Sequence, residues 1–571
     1  MRAVASLAVV VLGCATASAL PPPAPVVAAA ALDAGTVVAK KEAAPAPLPL
    51  PAEIAGPALR RLDFKGGDPV VPVRLMEGQT QVTFGSAGRL RLSLFGKIPK
   101  TVEGPAGSTF TVKLEKGAPA KVLARIQIVE LPFADKEGVD AARDEWAHKG
   151  IALKPQVLGS QYGIAGKVID NRRYLMLVDA PPAPPESLVE KQAEILKLHG
   201  VRTSLFEELA QPGRATIGLY DASGSPIAAA EDRLTVESPE GAPIDVKRVE
   251  YGVGYDFHNY EDRTFRGAVH FLADRGGKLA TVNMVPMEQL LRGLVPAEIF
   301  AKAHPEALKA QAVTARSEVL AKIGLKHLAD PYLLCAEQHC AVYKGLASEA
   351  ASTDVAVQAT RGEGLFSATG MLVDATYSAV CGGHTEHNDI VWGGPPNPSL
   401  RGVPDLLPGS PPGVSPKKLT EFLTTEAQHA CRVSTFAQPT KYRWEKKLSA
   451  DDVNAKTASL GVGQVMAMTV TERGVSGRAR LLQISGSEGA TQVRGELTIR
   501  KLFGMLNSAM FELKVDKDPK GRPRTWIFTG GGWGHGVGMC QTGAIGRAEA
   551  GQGYREILGH YYSSAQVARI Y

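Results

Sequence analysis

The chain has 571 residues, too many for one compact core, and ordinary domain sizes divide it into about three units plus a tail. With 44% hydrophobic and 21% charged residues it has a globular composition. Its net charge of +6 is spread over the whole length without a long Lys/Arg run, which excludes nucleic acid as the expected partner.

Residues 1–20, MRAVASLAVVVLGCATASAL, have one early Arg, an apolar run and small residues after it, the pattern of an export signal. Two cleavage readings stay open. Val11-Leu12-Gly13-Cys14 has the form of a lipobox, which leaves a lipid anchor on Cys14, and Ala17-Ser18-Ala19 suits an ordinary signal peptidase. Either places the protein outside the cytoplasm, in the periplasm or cell envelope. No later segment is apolar for long enough to span a bilayer, so a lipid on Cys14 is the expected membrane contact. Beyond Cys14 five cysteines remain, and in an oxidising compartment an odd number leaves at least one thiol free or metal-bound. Residues 21–57 are rich in Ala and Pro with few bulky side chains, as in an extended linker.

From 58 to 118, alternating runs such as VPVRLM, TQVTF and RLRLSLF between Gly-containing turns predict a small antiparallel β unit. Residues 119–210 carry a strand-helix pattern twice. The strand ARIQIVEL precedes a helix over 139–148, and irregular strands through 179 precede a helix over 186–199 closed by Gly200. This order resembles a SPOR domain, whose family binds glycan strands stripped of stem peptides; a generic α/β module is the alternative. Residues 211–245 predict a connecting β unit and 246–571 the largest domain. The expected fold class is α+β, multidomain.

Within the largest domain, residues 291–324 read LRGLVPAEIFAKAHPEALKAQAVTARSEVLAKIG. A short helix over 287–292 is expected to stop at Gly293, and Pro305 fits the first position of a second helix, with Leu308, Ala312, Ala315 and Val319 on one face. Glu298 falls between them. Its apolar neighbours Leu294, Val295, Ile299 and Phe300, if they desolvate it, raise its pKa and leave a proton to donate near neutral pH. The bland alternative is an acidic residue in the first turn of a helix.

LVPAEI followed by HPEALKAQAVTAR resembles the signature of the SpoIID/LytB family of peptidoglycan-cleaving proteins. The resemblance implies that Glu298 is the catalytic acid and Arg316 a groove arginine; a surface ion pair with Glu318 is the alternative for Arg316. Further blocks carry the likeness. CAEQHCAVYKG, from Cys335 to Gly345, stands where some relatives hold zinc, so Cys335, His339 and Cys340, with His327 as a fourth, are candidate ligands of a bracing metal; a disulfide, with Cys381 as one partner, is the alternative. YSAVCGGHTE supplies the hydroxyls of Tyr377, Ser378 and Thr385 beside paired glycines. Cys381 with His384 lacks a third orienting group for a thiol nucleophile. Trp392 suits either a sugar platform or the core. GGGWGHGVGMCQTGA, from Gly530 to Ala544, follows the family's glycine-rich block but departs from it at Cys540 and Thr542, and presents His535 and Gln541 on a tight backbone. A structural His535 is its competitor.

The resemblance implies a lytic transglycosylase that cuts peptidoglycan glycan strands, between N-acetylmuramic acid and N-acetylglucosamine, with no cofactor required for the chemistry. The competing class is a non-catalytic enhancer of a cell-wall amidase. A zinc peptidase or amidase would need an open three-ligand site, for which no convergent ligand set is legible.

Overall fold

A computed structural model describes residues 63–571 apart from 160, 165–166, 255–257, 338–339 and 341. The proposed export signal and linker, with the Cys14 anchor, and His339 lie outside the described residues. No helix among the described residues is long and apolar enough to cross a membrane. The fold is mixed, with helices and antiparallel sheets interleaved along the chain, in line with the expected α+β class.

Two sheets form the base. One runs in the order Phe64–Lys65, Asp68–Gln79, Leu279–Pro286, Ala268–Ala273, Arg233–Glu237, Leu90–Leu94, Lys100–Gly104, with Leu334–Cys335 added parallel to Asp68–Gln79. The other runs Pro226–Glu231, Arg214–Tyr220, Thr109–Ala118, Gln81–Gly85, Ile244–Tyr251, Asn259–Phe265. Val71, Val73 and Leu75 are all buried, and Phe84 of one sheet meets Phe271 of the other at 5.0 Å; Pro72 and Met76 are buried as well, so the central strands of the first sheet are covered on both faces. Here the structure departs from the segmentation read from sequence. Strands from 58–118, 211–245 and the start of 246–571 hydrogen-bond to one another, so three apparent units share one core.

The segment 119–210 is an insertion between two neighbouring strands of the second sheet. Its strands Lys121–Pro132, Leu153–Leu158, Arg173–Val178 and Ser204–Gln211 pair antiparallel in the order fourth, first, third, second. Helices α1 (Lys136–His148) and α2 (Val189–His199) cover one face, where Val139, Trp146 and Ile195 join Ile126 and Met176. Gly200 ends α2 in the left-handed conformation, φ +66°, as expected. The opposite face is not open: Leu158, Leu175 and Leu177 pack against Leu325 and Leu328, and Asn171 Nδ2 donates to the Ile323 carbonyl at 2.7 Å.

The base leads into helices α3 (Met287–Glu298) and α4 (Pro305–Ala321). The chain does not stop α3 at Gly293. A Cβ there would lie 2.7 Å from the Tyr343 ring and 2.9 Å from the Gly345 carbonyl, so this glycine permits close packing rather than a turn. Pro305 does open α4, and Leu308, Ala312, Ala315 and Val319 are buried as predicted, although α4 is buried on almost every side. Towards the C-terminus, strands of 443–531 enclose a second core of Trp444, Ile484, Phe503, Phe511 and Phe528, and deliver the glycine-rich loop back to the helix pair.

Candidate active site

Glu298 is the last residue of α3, not part of a first turn, so it stands at the negative end of the helix, where the dipole disfavours its charge. Leu294, Val295 and Ile299 around it are buried, whereas Phe300 is exposed and stacks on Phe436 at 5.1 Å. Burial pushes the Glu298 carboxyl up to about 7 and the nearby charge of Glu318 adds to the rise; a hydrogen bond from Val342 N–H to Oε1 (3.1 Å) and the charge of Lys322 oppose it.

The C-terminal loop reaches this residue. Gln541 Nε2 donates to the Glu298 backbone carbonyl at 2.8 Å and to Gln311 Oε1 at 3.2 Å. The loop can fold so tightly because Gly532, Gly534, Gly536 and Gly538 all take φ between +71° and +98°; a Cβ on Gly538 would lie 2.0 Å from the Thr376 carbonyl. Its far end pairs in parallel with the segment that carries the predicted hydroxyls, Tyr377 beside Met539 and Ser378 beside Cys540.

The remaining predicted residues separate into groups. Tyr377 lies near Glu298: burial first, then the charges of Glu298 and Glu318, lift its hydroxyl well above the ordinary range. Ser378 is buried beside it, its Oγ without a partner among the described residues. His535 is half-buried. Its Nδ1 accepts from Val537 N–H of its own loop at 3.0 Å, the contact of the structural competitor; burial and the positive charges of Arg478 and Arg500 hold it neutral, down to about 3. Trp392 and Trp533 are exposed at the same rim, with the Trp392 ring 5.1 Å from that of His535.

Arg316 and Thr385 are elsewhere. Arg316 is wholly buried and grips Glu288 with two hydrogen bonds of 2.8 Å, so it faces neither a groove nor Glu318; its side of α4 packs on α3. Thr385 is also wholly buried, its Oγ1 accepting from Val403 N–H at 2.8 Å. Cys381 is no nucleophile, since burial pushes its thiol up to about 12 and His384 Nδ1 is turned to the Thr385 carbonyl. The ligand atoms of His327, Cys335 and Cys340, three of the expected set, lie within 4.8 Å of one another; here Cys335 and Cys340 are joined to each other as a disulfide, with Cα atoms 5.5 Å apart and not with Cys381, and in that state neither sulfur is a thiolate for the predicted metal.

Sequence reasoning passed over Glu318 as part of the site. Glu318 in the last turn of α4 and Lys322, which caps that helix, form an ion pair, and Lys322 also lies 3.6 Å from Asp374. The i, i+4 acid-base spacing was the available signal.

Residues 275–366, which include Glu298, match the family model described as stage II sporulation protein. The chain carries a SpoIID/LytB-family domain. Residues 386–538 match a second model, a domain of unknown function, DUF8618, which takes in the second core and most of the glycine-rich loop. An uncharacterized protein of Brachyspira hyodysenteriae is 26% identical over 343 residues, 59% of this chain and 82% of the relative. The amidase enhancer of Bacillus subtilis is 29% identical over 291 residues, 48% of this chain but only 39% of that protein. Stage II sporulation protein D of Bacillus amyloliquefaciens is 26% identical over 302 residues, 50% of this chain and 76% of the relative.

Proposed function

We propose that the protein acts on the bacterial cell wall from outside the cytoplasm, as a lytic transglycosylase on peptidoglycan glycan strands. The observation that carries this reading is Glu298, a carboxyl group raised to about 7 and tied through its own carbonyl to Gln541 of the glycine-rich loop. Protonated at neutral pH, it donates to the glycosidic oxygen leaving N-acetylmuramic acid. As a carboxylate it then takes the proton of the muramoyl C6 hydroxyl, whose oxygen closes on C1 to give a 1,6-anhydro end. Hydrolysis would need a second carboxylate to activate water or attack the sugar. Glu318, whose charge is felt at Glu298, is itself engaged by Lys322, which supports the intramolecular nucleophile. Trp392 and Trp533 give the rim apolar faces for sugar rings. The segment 119–210, four paired strands and two helices with a short hairpin of Gln161–Ile164 and Lys167–Asp170 added, is read as the SPOR-like unit, and denuded strands are the preferred substrate on that reading.

Digestion of denuded glycan followed by mass spectrometry tests the proposal. Wild type should yield anhydro-muramoyl ends and Glu298→Gln none; equal yields from both would remove the mechanism. The match to an amidase enhancer favours a second reading, a glycan-binding protein that assists a cell-wall amidase. On that reading wild type co-sediments with glycan and leaves it uncut.

A further inference from the structure

Behind the wall that carries Ser378 and Gln541, four buried side chains from four separate segments meet. Cys381 follows the strand Tyr377–Ser378, Asp405 lies in a loop, Cys431 is in the short helix Ala430–Val433, and Cys540 ends the strand Met539–Cys540. All four are wholly buried, and their ligand atoms lie within 4.8 Å of one another. We propose that Cys381, Cys431, Cys540 and the Asp405 carboxylate form a four-ligand site for a thiophilic divalent cation of the zinc class, which braces the glycine-rich loop against Glu298.

Geometry favours a cation over a disulfide. The Cys381 and Cys431 sulfurs are 3.7 Å apart. Two thiolates bound at about 2.3 Å to a tetrahedral centre stand about 3.8 Å apart, whereas a disulfide requires about 2.05 Å. Three thiols also cannot all be consumed by disulfide pairing, and the remaining described cysteines are already joined to each other.

The surroundings are those of a closed structural site. Backbone N–H groups point at the sulfurs, from Cys381 and Gly543 to Cys540 Sγ (3.1 and 3.3 Å) and from Gly383 to Cys381 Sγ (3.4 Å), the donors that a thiolate would accept. Asp405 Oδ1 accepts from the Tyr561 hydroxyl at 2.5 Å with Arg547 Nε 3.7 Å away, which orients Oδ2 towards the cysteines; Oδ2 accepts from Cys431 N–H at 3.0 Å. Four protein ligands leave no open position, so the ion would hold structure rather than react. Binding releases the thiol protons, because the cation supplies the charge that burial otherwise denies the thiolates. The site does not depend on the activity proposed for Glu298.

The test uses the full chain carrying Cys335→Ser and Cys340→Ser, so that the other cysteine pair cannot contribute. Purified without chelator from zinc-supplemented culture, it should hold one zinc per chain by elemental mass spectrometry. Exchange with cobalt(II) should give the intense charge-transfer absorption of a multi-thiolate tetrahedral centre. Cys431→Ser and, separately, Asp405→Asn on this background should lower the bound zinc and alter the cobalt spectrum. If either variant fails to fold, the cobalt spectrum of the parent decides alone. Absence of zinc and of that absorption in the parent, a Cys381–Cys431 disulfide in non-reducing peptide maps, or undiminished zinc in a folded Cys431→Ser variant would each overturn the site.

Discussion

Helix α3 carries a glutamate at each end, and the two are treated in opposite ways. Glu288, in the first turn, receives both arms of the Arg316 guanidinium at 2.8 Å and the Tyr571 hydroxyl at 2.5 Å. Glu298, ten residues later at the other end, receives one backbone N–H among the described residues and has Glu318, itself an acid, close by. Both counterparts come from α4, where Arg316 and Glu318 are two positions apart and so point to different sides. A neutralised carboxylate fastens helices together. One left short of compensation keeps its proton and becomes available as an acid.

The largest effect that should separate the two ends comes from Arg316→Met. It leaves Glu288 buried without its counter-charge, and about 3–5 kcal/mol of unfolding free energy should be lost in urea titrations. Pairing it with Glu288→Gln should return most of that loss. A single variant as stable as wild type would mean that the buried pair is not what joins α3 to α4.

Glu298→Gln should do the reverse. The folded carboxyl keeps its proton up to about pH 7, the unfolded one only to about 4.5, so wild type loses stability as pH rises between these values. A displacement of that size corresponds to about 3 kcal/mol. Glu298→Gln should therefore match wild type near pH 4 and exceed it by up to that amount above pH 7 in thermal or urea unfolding. A variant less stable than wild type at alkaline pH would show that the site welcomes the charge.

The smallest effect tests how α3 reaches Glu298 without interruption. Gly293→Ala should cost about 1–3 kcal/mol by forcing the Tyr343 ring and the Gly345 carbonyl aside. Its circular dichroism should keep the helix signal. A neutral substitution would return Gly293 to the role of a turn.

Much of the local structure was legible in the sequence because it rests on neighbours. Alternation marked the strand ARIQIVEL, and Gly200 marked the end of α2. Pairing over distance was not legible: nothing near residues 68–79 says that they will lie against 279–286, so one two-sheet core read as several units. At the site, motif likeness found Glu298 and Gln541, 243 residues apart and joined by a hydrogen bond. It also carried Arg316 to the wrong side of α4, because likeness picks out a residue without saying which way it faces. Glu318 went unread for the complementary reason. Its spacing to Lys322 is common on any exposed helix, and only packing against Tyr377 and Glu298 distinguishes it.

The most direct test of a proton held on Glu298 is the pH dependence of glycan cleavage under kcat/KM conditions. Cleavage that needs the protonated acid should fall about tenfold for each pH unit above about 7. A rate that stays level from pH 6 to about pH 9 would contradict the account, since a carboxyl group that must donate cannot serve once its proton is gone.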